Sequence, residues 1–177
     1  MKTTISYILI GISIIIMLIY GLRNNNNFIN VSKVIKEHFM IFGGAKKHII
    51  VLYIMPMIMS IGIGLTYSFG NSMIEAIMVV ISVIISALLA FQGGILNIGQ
   101  NQNSKDKDKE EILNETNASI NFTVLINIFL VFLMLIYIAL EDIILKSIFT
   151  SIISYILLIT FLTILIIIKR IRNLLKN

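Results

Sequence analysis

The sequence contains no cysteine, so disulfide bonds, thiolate catalysis and cysteine-ligated metal sites are excluded. It contains no tryptophan either. An aromatic girdle at a membrane surface must therefore be built from tyrosine, and Tyr7, Tyr20, Tyr53, Tyr67, Tyr137 and Tyr155 are the candidates. Proline occurs once, as Pro56. Charged residues make up 13% of the chain, against about a quarter in an ordinary soluble domain. They are gathered between apolar runs, so the net charge of +5 follows segment boundaries and does not form a nucleic-acid-binding patch.

Catalytic constellations are missing as well. His38 and His48 lie ten residues apart, with no carboxylate at ligand spacing and no H-E-x-x-H. An intramembrane serine protease needs a histidine at membrane depth, and neither histidine falls in an apolar run. No phosphate-binding glycine loop is present. Glu110-Glu111 and Glu141-Asp142 are paired acids in charged or turn segments, where solvated surface is the expected role. No catalytic residue, metal ligand or cofactor site is expected, and the chain does not read as an enzyme.

Long apolar runs are what the sequence does have. Of 177 residues, 58% are hydrophobic, the pattern of a polytopic membrane protein. The expected fold is all-α, with five transmembrane helices (a four-helix core plus an N-terminal span) and one amphipathic helix at the interface. Residues 1–22 form the N-terminal anchor, 23–46 a linker with the amphipathic helix, and 47–177 the four-span bundle with a charged segment at 99–118.

Span one, Ile5 to Leu22, is near the lower length limit for crossing about 30 Å of hydrocarbon. A cleaved signal peptide is the alternative, but no A-x-A-like site follows it. After the polar tract from Arg23 to Asn27, Phe28, Val31, Ile35, Phe39 and Phe42 fall on one helical face. That helix is expected either in the membrane interface or packed on the inner end of its own bundle, and Gly43-Gly44 ends it. Span two, Ile49 to Phe69, carries Pro56 in its interior as a kink or hinge candidate. Ser60, Gly64 and Ser68 recur there every fourth residue. Gly70-Asn71 predicts a tight turn and an antiparallel hairpin with span three, about Ser72 to Ile98.

Span three carries the densest row of small residues. Ser82, Ser86, Ala90 and Gly94 recur at fourfold spacing, with Gly93 and Asn97 beside them. In a helix this spacing makes one narrow ridge along which another helix can approach closely. The ridge packs helices or lines a pore. Glu75 opens the same span as a possible ion-attracting acid, with snorkelling to water as the plainer role. Gln100, Asn117 and Asn121 are expected to join Asn97 in a polar cluster between the ends of spans three and four. Interhelical hydrogen bonding is the simpler use of that cluster, and a hydrated vestibule the functional one. Ser104 is the candidate cap of a helix that begins in water and continues into span four, about Ile120 to Leu140, with a solvated loop as the alternative for the first half of the charged segment. Span five, about Ile143 to Ile168, has Ser147, Ser151 and Ser154 along one side.

Charge sets the expected orientation. Of fourteen Lys and Arg, twelve fall in three segments that five spans place on one side: after span one, between spans three and four, and in the tail. That side should be cytoplasmic, with the N-terminus outside and the C-terminus inside a cell membrane. The possible glycosylation acceptors at Asn114, Asn117 and Asn121 are discarded because they lie on that side or in the membrane.

Two stretches carry a resemblance. One is Leu88-Leu-Ala-Phe-Gln-Gly-Gly-Ile-Leu-Asn97, ending a span before a charged segment. The other is Phe161-Leu-Thr-Ile-Leu-Ile-Ile-Ile-Lys169-Arg170, ending the last span. With the four-span order from Lys46 onward, the chain resembles small multi-span membrane proteins found beside bacterial antiphage-defence genes. The resemblance implies a membrane effector or accessory subunit activated by a cytoplasmic partner, and it carries over no catalytic residue. The expected function is a non-enzymatic, self-associating membrane effector or channel-like component, a homo-oligomer in the lipid bilayer that binds no nucleic acid. An accessory or immunity-type membrane subunit of a transporter or other complex is the alternative. A small-solute carrier is less favoured, since no repeat and no mid-membrane charge is present.

Overall fold

A computed structural model describes residues 31–42, 49–101 and 107–176, with the side chains of 96–101, 107–108 and 174–176 outside that description. Span one, the Gly43-Gly44 break and Ser104 lie outside the described residues. The described elements are all helical: α1 Val31–Met40, a π-helical segment Ile50–Ile54, α2 Met55–Thr66, α3 Asn71–Asn101, α4 Lys107–Ala139 and α5 Ile143–Lys176. Among the described residues three helices are long and apolar enough to cross a membrane: Asn71–Ile95, Lys109–Ala139 and Ile143–Asn173. The run Ile50–Thr66 is apolar but shorter.

Pro56 sits at the first turn of α2, next to a local change of helix type. It has no N–H with which to close the ordinary bond to the carbonyl four residues back. The chain responds just before it: the Met55 N–H bonds Ile50 O, five residues back, and Ile50–Ile54 is π-helical. The hinge candidate is thus a loosened turn between two continuous helical pieces.

The helices pack in a row, with α2 on α5, α5 on α4 and α4 on α3, while α1 packs on α4. Spans two and three do not form the expected packed hairpin, because among the described residues α2 and α3 make no mutual contact. The reason lies in their faces. The buried side of α2 is Pro56, Ser60 and Gly64, and that strip fits the serines of α5. Ser147 Oγ donates to the Gly64 carbonyl. A Cβ on Gly64 would overlap Ser151 Oγ and come within 2.7 Å of the Ser147 carbonyl oxygen. Two rows of small residues bring these backbones together, the packing available where lipid removes any hydrophobic drive between helices.

The link from α2 to α3 is fixed by Tyr137. Its ring is fully buried on α4, and its hydroxyl donates to the Phe69 carbonyl at 2.6 Å. Around it Phe69, Ile74, Ile81, Leu130, Met134 and Ile153 form the larger core. Gly70 starts α3 by accepting from the Met73 and Ile74 N–H groups, and Asp142 caps α5 through the Ile144 and Leu145 N–H groups. Tyr137→Phe should leave the buried Phe69 carbonyl unpaired at a cost of about 1–2 kcal/mol. Thermal unfolding in detergent should show the midpoint falling by several degrees.

The polar first half of α4 turns inward, as its composition requires. Thr116, Ser119 and Thr123 each donate to the carbonyl four residues back. Asn127, fully buried, donates to the Thr123 carbonyl and accepts from Thr160 of α5. Each group is paired, which keeps the cost of placing it in an apolar surround low.

Candidate functional site

Helix α3 buries one seam and leaves the rest open. Ile74, Ile81, Leu88 and Ile95, spaced by sevens, are its buried hydrophobic residues. At 100° per residue, Ser82, Ser86, Ala90, Gly93 and Gly94 fall on the far side of that seam. All five are exposed. A Cβ added at Gly93 or Gly94 would meet nothing within 4 Å. Ser82 Oγ donates to Met78 O at 2.8 Å and Ser86 Oγ to Ser82 O at 2.9 Å, so both hydroxyl protons are already committed to their own helix. The result is a smooth, low-relief strip directed away from the other described helices. Glu75 is exposed on the same side, and position 97 falls on it by register. The helix runs unbroken through Gly93-Gly94.

The two rows of small residues therefore have different fates. Ser60 and Gly64 are used up inside the chain against α5, and Ser68 lies exposed in the link after α2. The row on α3 has no neighbour among the described residues. An apolar groove of about 460 Å³ opens on the flank of the same helix, between Ile77, Val80 and Ile84 of α3 and Leu157, Phe161 and Ile164 of α5.

The amide cluster forms around a residue that sequence reasoning did not select. Gln92 Nε2 donates to Asn117 Oδ1 at 2.7 Å and to Asn121 Oδ1 at 2.8 Å. Gln92 is three residues before Ile95 and four after Leu88, on the buried seam, and that spacing was the available signal. The side chains of Asn97 and Gln100 lie outside the described residues. Gln92→Leu should strip both asparagine oxygens of their donor and cost about 1–2 kcal/mol. Denaturant unfolding in mixed micelles should show the loss, with Gln92→Asn falling between the variant and the parent.

A second cluster, also missed, ties α1 to the bundle. His38 is 1% exposed on the inner face of α1. Its ring stacks on Phe122 of α4 at 3.9 Å and 4°, and Nε2 lies 2.7 Å from Tyr53 Oη. Burial first, and the nearby Arg170 guanidinium second, hold its pKa down to about 4. Arg170 of α5 meets Glu115 of α4 at 2.7 Å, with both side chains partly buried. The amphipathic helix packs on α4, as one of its two expected placements has it. Among the described residues no three His, Cys, Asp or Glu side chains gather where they could share a metal ion.

No protein-family model, curated protein or solved structure matches this chain.

Proposed function

We propose that the chain is a non-enzymatic integral membrane protein that assembles with further copies of itself through the outward face of α3. In this reading it is a membrane effector or channel-like component acting with a cytoplasmic protein partner, in antiphage defence. The basic ends of the helices face the cytoplasm and the N-terminus lies outside, as the lysine and arginine distribution requires. The observation that carries the reading is the exposure, among the described residues, of Ser82, Ser86, Ala90, Gly93 and Gly94 on the side of α3 opposite its seam against α4 and α5. A purely lipid-facing strip has no use for serines, paired glycines and a glutamate, whereas a close helix contact needs small residues. The few polar groups within one copy make a private pathway poor, and a path shared between copies would draw on Glu75, Ser82 and Ser86 from each.

Induced expression in cells carrying a potential-sensitive dye tests this reading. Expression should collapse the membrane potential, and Ser86→Leu with Ala90→Leu should restore it at equal protein level. A potential that stays intact with the unmodified chain and its neighbouring-gene partner present would overturn the effector reading.

A further inference from the structure

His38 is an unusual choice for the centre of a docking surface. Along α1, the inward positions Val31, Val34 and Ile35 are aliphatic, and the deepest position is an ionisable ring. Within the described residues α1 packs its backbone on α4 and meets the π-helical segment through Tyr53. His38 sits at the centre of that contact. Phe39, Phe42 and Tyr53 set their rings edge-on or tilted around it, and Phe122 lies flat beneath it. Nδ1 is buried with no hydrogen-bond partner.

We propose that α1 is a proton-released latch, in which neutral His38 holds the helix on the basic end of the bundle and protonated His38 lets it go. The geometry gives the direction. An imidazolium in this pocket would carry a second N–H with no acceptor and would lose its hydration. Stacking on Phe122 offers some cation–π compensation, but the ring remains sealed from water. The charged and titratable groups around it do not favour a new positive charge. Tyr53 of the π-helical segment already occupies Nε2, and Tyr155 of α5 stands beside Tyr53. Arg170 of α5 repels the charge, and Glu115 of α4 is engaged with Arg170. On α1 itself, Glu37 pairs with Lys33 at 3.7 Å, and Lys36 adds one more positive charge.

The sign follows by linkage. The docked pKa is about 4 and the ordinary value 6.5, so between them the released helix binds a proton that the docked helix refuses. Docking is at full strength above the ordinary value and weakens as pH falls towards the docked one, by roughly 300-fold across the window. Acidification at the basic end is thus the signal to which the latch responds, however the copies assemble.

The absence of cysteine makes the test direct. Spin labels at Lys36→Cys on α1 and Glu111→Cys on α4, in the full chain in nanodiscs, report the distance between the two helices. At about pH 7.5 a single short distance is expected, and a longer population should appear below about pH 6 and keep growing towards about pH 4.5. In His38→Phe and, separately, His38→Gln the short distance should persist throughout. An unmodified chain that keeps the short distance to about pH 4.5, or substituted chains that release with the same pH profile, would overturn the latch.

Discussion

Gly64→Leu should detach α2 from α5 and cost more than about 3 kcal/mol, a large fraction of an ordinary folding stability. The reason is local and steric. The Gly64 carbonyl takes a hydrogen bond from Ser147, and no space exists where its side chain would start. Alanine already meets the obstacle. Ser151 can turn its hydroxyl aside, but the Ser147 carbonyl oxygen, 2.7 Å from the new Cβ, belongs to the backbone of α5. Gly64→Ala should therefore cost about 1–3 kcal/mol, and Ser151→Ala should recover only part of it. Gly62→Ala is the internal control. It lies two residues away with nothing within 4 Å of its Cβ, and alanine there should be neutral or should stabilise the helix by up to about 1 kcal/mol. Unfolding in mixed micelles, followed by helix signal and by protease resistance, separates these outcomes.

Ser86→Leu combined with Ala90→Leu should behave in the opposite way. Neither position touches the buried seam of α3, so the isolated subunit should unfold as the parent does. Assembly should suffer, because two leucines raise bulk along a strip whose use depends on close backbone approach. A loss of about 2 kcal/mol per contact corresponds to roughly thirtyfold weaker association. Fluorescence transfer between labelled copies in liposomes, measured over a range of protein-to-lipid ratios, should show that shift. Equal loss of subunit stability and association would mean that these residues serve packing within one chain.

The contrast between the two rows explains what could and could not be read from the sequence. Fourfold spacing of small residues marked both Ser60–Gly64 and Ser82–Gly94 as close-approach faces, and spacing alone cannot say what approaches. Both α2 and α3 are apolar almost all round, so hydropathy gives no inward side. The heptad Ile74, Ile81, Leu88, Ile95 gave a weak signal for α3, hidden among other isoleucines and leucines at non-seam positions. The serines of α5 were visible as a stripe, but their pairing with Gly64 depends on the order of helices in the row. That order is also why the expected hairpin of spans two and three failed: a short turn fixes chain direction, and side-chain fit decides which helices touch.

The polar residues divided in the same way. The inward turn of Thr123 and Asn127 was legible, since amides and hydroxyls in an apolar helix need partners. The junction of the charged segment with span four in one helix was legible too, and Lys107–Ala139 is continuous. Gln92 escaped notice because the small-residue row beside it drew attention to the opposite side of the helix. His38 escaped because it was weighed only as a metal or catalytic residue. A histidine flanked by Phe39 and Phe42, on the apolar face of an amphipathic helix, was the available sign of an aromatic docking site.

Assembly through α3 is the claim on which the functional reading stands, and a cysteine placed at Ser86 tests it most directly. The chain has no cysteine of its own, so every cross-link reports that position. In native membranes, oxidation or a short bis-maleimide should join Ser86→Cys copies into a covalent species larger than one chain. Phe132→Cys, on the exposed side of α4, should remain single under the same treatment. A Ser86→Cys chain that stays single, or that cross-links no better than Phe132→Cys, would contradict the account.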